Sequence, residues 1–105
     1  MARSSHSSIS EDVDAIALDD GDSVATALRR IDKGSAIAVG YPDRRIDLAV
    51  QEDIPIYHKI ALDDLPAGAA VRKHGHVIGH ATEAITAGTL VHIHNVRGKA
   101  AGADR

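Results

Sequence analysis

The chain has 105 residues, a formal net charge of −3, and no cysteine, phenylalanine or tryptophan. That length holds one domain with a core of Val, Ile, Leu and Ala, and it excludes a disulfide framework or a cysteine-based zinc site. Its apolar runs are only a few residues long, against the roughly 20 a membrane helix needs, and no basic block interleaves with aromatics, so membrane spanning and nucleic-acid binding are excluded.

Residues 1–12 are serine-rich and carry His6 without an apolar period, so a disordered tail is expected there. Arg3 is not followed by an apolar run, so no signal peptide is expected and a cytoplasmic setting is. The folded domain is expected over residues 13–96, and residues 97–105, rich in Gly, Ala and charge, as a second tail.

Over residues 23–31, Val24, Ala27, Leu28 and Ile31 fall on one helical face, and Asp22 or Ser23 could cap it, which predicts one short helix. Strands are predicted at 35–40, at 46–50 where Ile46, Leu48 and Val50 alternate with other residues, and at 69–73, 77–81 and 90–96. Pro42, Pro55 and Pro66 mark loops.

One spacing recurs three times. Ala27, Ile31, Gly34 and Ile37 are matched in offset by Ala61, Leu65, Gly68 and Val71, and again by Ala81, Ile85, Gly88 and Val91. Each copy reads as an apolar anchor, a tight turn at glycine and the start of a strand. The copies are unevenly spaced, which suits recurring turns in a compact fold rather than a solenoid. The fold class is therefore mostly β, with short strands and one short helix.

Six of the seven histidines lie between residues 58 and 94. His92-Ile93-His94-Asn95 closes the last strand candidate. On a strand, His92 and His94 would share a face about 6.6–6.8 Å apart, with Ile93 opposite and buried. Two such imidazoles either converge on a metal ion or face solvent and bond to neighbours. Lys73-His74-Gly75-His76-Val77-Ile78-Gly79-His80 reads as a hairpin whose Lys73 could hold a carboxylate; otherwise its polar residues face water. His58-Lys59 stands where a loop enters the apolar run Ile60-Ala61-Leu62. Such a pair suits acid–base work beside an anion clamp, or is a capping histidine and a solvated lysine. No nucleophile elbow, phosphate loop or dinucleotide fingerprint is present.

Taken together, residues 53–95 resemble the SAF domain, a β-clip, of the altronate dehydratase family. The resemblance is carried by Asp53-Ile54-Pro55, His58-Lys59-Ile60-Ala61-Leu62, Gly68, Val71, Lys73, Gly75, Val77-Ile78-Gly79, Ala81-Thr82, Ile85, Gly88 and Val91-His92-Ile93-His94-Asn95. Tyr57, where glycine is usual, and His74, where an aromatic is usual, depart from the pattern. The resemblance implies dehydration of altronate or galactarate, or sulfite elimination from sulfolactate, by proton abstraction alpha to a carboxylate. It also implies a divalent metal, most often iron, and a large catalytic subunit as partner, with self-association left open.

On that reading His58 and Lys59 are catalytic, Lys73 and Asn95 bind the carboxylic-acid substrate, and His92 and His94 bind metal. The galactarate branch lacks the HxHN ending, so the last two are not indispensable to the shared chemistry. The chain is expected to be inactive alone, because so small a domain lacks a full set of acid, base and metal ligands. The alternative is a non-catalytic module that binds a sugar acid or another protein.

Overall fold

A computed structural model describes residues 13–98. His6 and the expected N-terminal tail lie outside the described residues, as does the rest of the C-terminal one beyond Gly98. The described residues form strands β1 (Ala15–Ile16), β2 (Val24–Ala27), β3 (Ala36–Gly40), β4 (Arg45–Ala49), β5 (Lys59–Ala61), β6 (Ala70–Lys73), β7 (His76–Ala81), β8 (Leu90–Val91) and β9 (Val96–Gly98). One sheet runs β4-β3-β1-β2-β5-β8 and the other β6-β7-β9. Only β1 and β3 pair in parallel. No helix long and apolar enough to cross a membrane occurs among the described residues.

The short helix expected at 23–31 is instead strand β2 and the turn after it. The helical stripe was produced by burial on both faces of one strand. Val24 packs with Ala61, Val71, Ala81, Ile85 and Val91 in one core cluster, while Ala25 and Ala27 pack with Ile31, Val39, Ile54 and Ile60 in the other. A strand buried on both sides loses the alternation that would identify it. Asp22 and Ser23 cap no helix. The Asp22 carboxylate accepts the N–H groups of His74 (2.9 Å) and Gly75 (2.8 Å), and the Ser23 hydroxyl accepts that of Arg72 (3.1 Å), docking the β6–β7 hairpin onto β2.

The repeated spacing marks a real device, and it occurs four times. Residues 32–35, 55–58, 66–69 and 86–89 each close with the fourth N–H donated to the first carbonyl. The third residue of each has positive φ: Gly34 (90°), Tyr57 (66°), Gly68 (88°) and Gly88 (89°). This is the demand of a type II turn. The fourth copy, Val50, Ile54, Tyr57 and Ile60, escapes the sequence pattern because Val and Tyr replace Ala and Gly.

The copies interlock in pairs. The turn at 55–58 exchanges two backbone bonds with Ala27, and the turn at 32–35 does so with Val50. Ala81 and Ala61 hold the turns at 66–69 and 86–89 in the same way. Isolated bridges Ile31–Ile54 and Leu65–Ile85 join each pair, and Asp53 and Asp64 each accept an N–H across the bridge, from Lys33 and Ala87. Ile31 and Ile54 are fully buried. At about 2–3 kcal/mol each for apolar burial, they anchor the first pair far more than the exposed ion pairs around them do.

Residues 90–96 do not form one strand. β8 ends at Val91, residues 92–95 turn, and β9 continues through Arg97 and Gly98, which the sequence placed in the tail.

Candidate functional site

Lys59 opens β5, paired with Thr26 on one side and Val91 on the other. It shares a strand face with Ala61, a member of the second core cluster, so its side chain leaves the strand at that cluster's rim. Lys73 ends β6 nearby. Lys59, Lys73 and His92 line a groove of about 400 Å³ together with Ile78, Val91 and Val96. Neither lysine is paired with a carboxylate among the described residues. Of the acids close in sequence, Glu52 accepts the Leu90 N–H (2.6 Å), and Asp53 and Asp64 hold the bridges. The groove is therefore a cationic pocket with an apolar floor, suited to a small organic anion.

His58 stands beside it, at the end of the turn at 55–58. Its ring lies against that of His92, with centroids 5.0 Å apart and planes tilted by 48°. His58 Nδ1 is 3.1 Å from the Ile56 carbonyl oxygen. A carbonyl only accepts, so this bond requires the proton on Nδ1 and leaves Nε2 as the basic nitrogen of the neutral ring. His58 is half-buried, whereas His92 is exposed.

His92 owes its place to Asn95. The Asn95 carboxamide accepts the His92 N–H (2.9 Å) and donates to the Leu90 carbonyl (2.8 Å), and its backbone N–H bonds the His92 carbonyl (3.1 Å). The side chain is buried at 4% exposure, with both polar ends engaged by its own turn. Asn95, expected to touch substrate, here shapes the loop. The expected strand face for His92 and His94 is corrected: both belong to the turn, both are exposed, and Ile93, expected to be buried, is 84% exposed. Asparagine closing the segment was the signal for a turn.

His74, His76 and His80 are exposed on the hairpin. His74 (φ 55°) and Gly75 (φ 80°) form its two-residue turn, and β6 and β7 bulge between Val71 and Arg72. The structure thus brings Lys59, Lys73, His58 and His92 together, and gives Asn95 a supporting place. The described residues contain no group of three or more His, Cys, Asp or Glu able to hold a metal ion. The His58–His92 pair supplies two nitrogens, short of a complete site, and no step below depends on a metal.

A family model described as the altronate/galactarate dehydratase SAF domain matches residues 13–99. The chain is 38% identical over 77 residues to an altronate dehydratase of Bacillus subtilis, an alignment covering 72% of this chain and 14% of that protein. It is 40% identical over 76 residues to the altronate dehydratase of Escherichia coli, again covering 72% and 14%. It is 40% identical over 57 residues to the (2R)-sulfolactate sulfo-lyase subunit alpha of Chromohalobacter salexigens, covering 54% of this chain and 61% of that subunit. The chain thus spans about one-seventh of the length of the two dehydratases. With the family model covering every described residue, the chain belongs to the altronate/galactarate dehydratase SAF-domain family.

Proposed function

We propose that the chain is the small part of a two-part hydroxy-acid lyase, contributing one wall of an active site that a larger catalytic subunit completes. The observation that carries this reading is one open groove lined by Lys59, Lys73 and His92, with the His58 ring against that of His92 and neither lysine paired with a carboxylate among the described residues. Elimination alpha and beta to a carboxylate needs a cationic clamp for the carboxylate, whose charge grows as the enolate forms, and a base for the alpha proton. Lys59 and Lys73 serve as the clamp. Of the imidazoles, His92 lines the groove and His58 backs it, with Nε2 free to take a proton.

The openness of the groove accounts for the partner. Electrostatic stabilisation is strongest where water is excluded, and a second subunit closing over the groove would supply that. Expulsion of the beta substituent, whether hydroxide or sulfite, is assisted by an acid; with the lysines holding the carboxylate and an imidazole taking the alpha proton, we assign that acid to the partner. A divalent metal, iron foremost, would also be completed there.

The test is co-expression with a large dehydratase or sulfo-lyase subunit, followed by turnover of altronate, galactarate and sulfolactate. The complex should act on one of them and the 105-residue chain alone on none. His58→Ala and Lys59→Ala should each lower turnover at least tenfold in a complex that still assembles. Turnover within twofold of the parent in both variants would make the chain a non-catalytic module.

A further inference from the structure

Three of the four large apolar side chains exposed among the described residues fall in the two turns whose histidine rings meet. Ile56 (45% exposed) and Tyr57 (70%) precede His58, and Ile93 (84%) follows His92. The register brings them to one end of the domain. Lys59 pairs with Val91; one step outward the His58 and His92 rings lie together, and Tyr57 and Ile93 are the next residue of each segment. Ile93 also borders the groove that holds Lys59, Lys73 and His92. Tyr57 adds an independent observation. Its three counterparts in the matched turns are Gly34, Gly68 and Gly88, all at positive φ. A tyrosine at φ 66° is strained where glycine would not be. With its ring left mostly in water, little within the chain offsets that strain. Strain kept at an exposed aromatic indicates a role outside the chain's own fold.

We infer that Tyr57 and Ile93 are the anchors by which the chain docks into an apolar pocket of the large catalytic subunit, at the lip of the groove. The inference rests on the two-part reading above and adds where the parts meet. Because Ile93 borders the groove, a cover that excludes water from the groove also buries Ile93. In the two altronate dehydratases the matched stretch is 14% of the protein, so most of each polypeptide is there to lie against this domain. A tyrosine seated in a desolvated pocket is the kind of anchor that carries a large share of binding energy. A second copy of the chain fits this end worse. A twofold contact there would set Lys59 and Lys73 against their own counterparts, cation on cation.

The test titrates the labelled 105-residue chain with the large subunit, and reads turnover of the mixture and sedimentation of the free chain separately. Tyr57→Gly and Ile93→Ser should each raise the dissociation constant at least tenfold. Leu18→Ser, at the fourth exposed apolar residue, should leave it within twofold. Thermal melting checks the fold of each variant. Both anchors are exposed in the free chain, and Tyr57→Gly also removes strain, so both variants should melt close to the parent. If the parent forms a complex and either anchor variant binds like it, the docking inference is overturned and the two-part reading stands. If both variants lose affinity but the parent complex turns over no hydroxy acid, the docking inference holds and the lyase reading falls. If the parent forms no complex, both fall. Self-association of the free chain that the same substitutions abolish would assign the patch to a second copy and overturn the inference.

Discussion

His58 and His92 lie ring to ring at 5.0 Å because two turns of different construction meet at the end of the β5–β8 ladder. The first turn is held by backbone exchange with Ala27, the second by the side chain of Asn95. Apart from the Ile56 carbonyl at His58 Nδ1, these groups touch neither ring, and the geometry of the pair can be perturbed without altering either histidine.

Asn95 offers the cleanest perturbation. Asn95→Ala removes an acceptor for the His92 N–H and a donor for the Leu90 carbonyl at a buried position. A destabilisation of about 2–3 kcal/mol is expected, because buried groups are left unsatisfied. A domain of this size tolerates that loss at moderate temperature. In the folded variant the ring-current shifts linking His58 and His92 should collapse. Asn95→Asp keeps the acceptor but sets a carboxylate against the Leu90 carbonyl, and should be no better. Retention of the ring contact in either variant would show that Asn95 does not position His92.

The four matched turns predict an ordered set of stabilities. At Gly88, a Cβ would stand 2.1 Å from the Ala49 carbonyl oxygen, besides the strain of φ 89°. At Gly34 and Gly68 nothing lies within 4 Å, so only the backbone strain applies. Gly34→Ala and Gly68→Ala should each cost about 1 kcal/mol, and Gly88→Ala clearly more. Tyr57 is the converse case, 70% exposed at φ 66°. Tyr57→Gly should fall within about 1 kcal/mol of the parent, on the stabilising side, since relieved strain outweighs the added chain entropy. Urea denaturation of the four variants checks the order.

These contrasts show what the sequence could carry. Three turns were legible because glycine marks a positive φ in one letter, and the anchors Ile31, Leu65 and Ile85 sit at fixed offsets from it. The turn at 55–58 was not, because Tyr57 adopts the same conformation without the letter that advertises it. Strand β2 read as a helix because both its faces are buried, and periodicity reports one-sided burial only. For the site, the individual residues His58, Lys59, Lys73 and His92 stood out by type. Their grouping did not, since Lys59 meets Val91 and His58 meets His92 only through tertiary pairing. Asn95 was noticed for its chemistry, and only the folded turn gives it a structural role.

Tyr41 predicts a response to alkali. Burial comes first in pushing its phenol above the ordinary value of 10.0; the Arg44 guanidinium, 3.9 Å from the ring centroid, opposes this, and the Asp63, Asp22 and Asp20 carboxylates add to the rise. A raised folded value means that the folded state holds its proton where the unfolded state has lost it. Stability from this group is complete below pH 10.0 and is lost as the pH climbs through the folded value. Tyr41→Phe keeps the ring beneath Arg44 but has no proton to lose. Urea midpoints should therefore fall more steeply above pH 10.0 in the parent than in Tyr41→Phe, and equal slopes would contradict the assignment.

The cationic groove makes the last prediction. Lys59 and Lys73 line it without carboxylate partners among the described residues. A small hydroxy-carboxylate such as galactarate should therefore bind the free chain, though weakly, because the groove is open and water screens both charges. Exposed charge pairs contribute about 0.2–1 kcal/mol each, so removing one lysine should weaken binding by about 1.4- to fivefold. Lys59→Ala and Lys73→Ala should each do so, and the double variant more than either. Raising the salt concentration should weaken the parent most and the double variant least, because only the parent keeps both charges to screen. The apolar floor of Ile78, Val91 and Val96 is untouched by these changes, so a neutral sugar of the same size should show no dependence on lysine or salt. Chemical-shift mapping on the labelled chain decides the matter: shifts at Lys59, Lys73 and His92 place the anion in the groove. Shifts confined to Arg72, Arg97 or the hairpin histidines would mean that the two lysines are merely solvated.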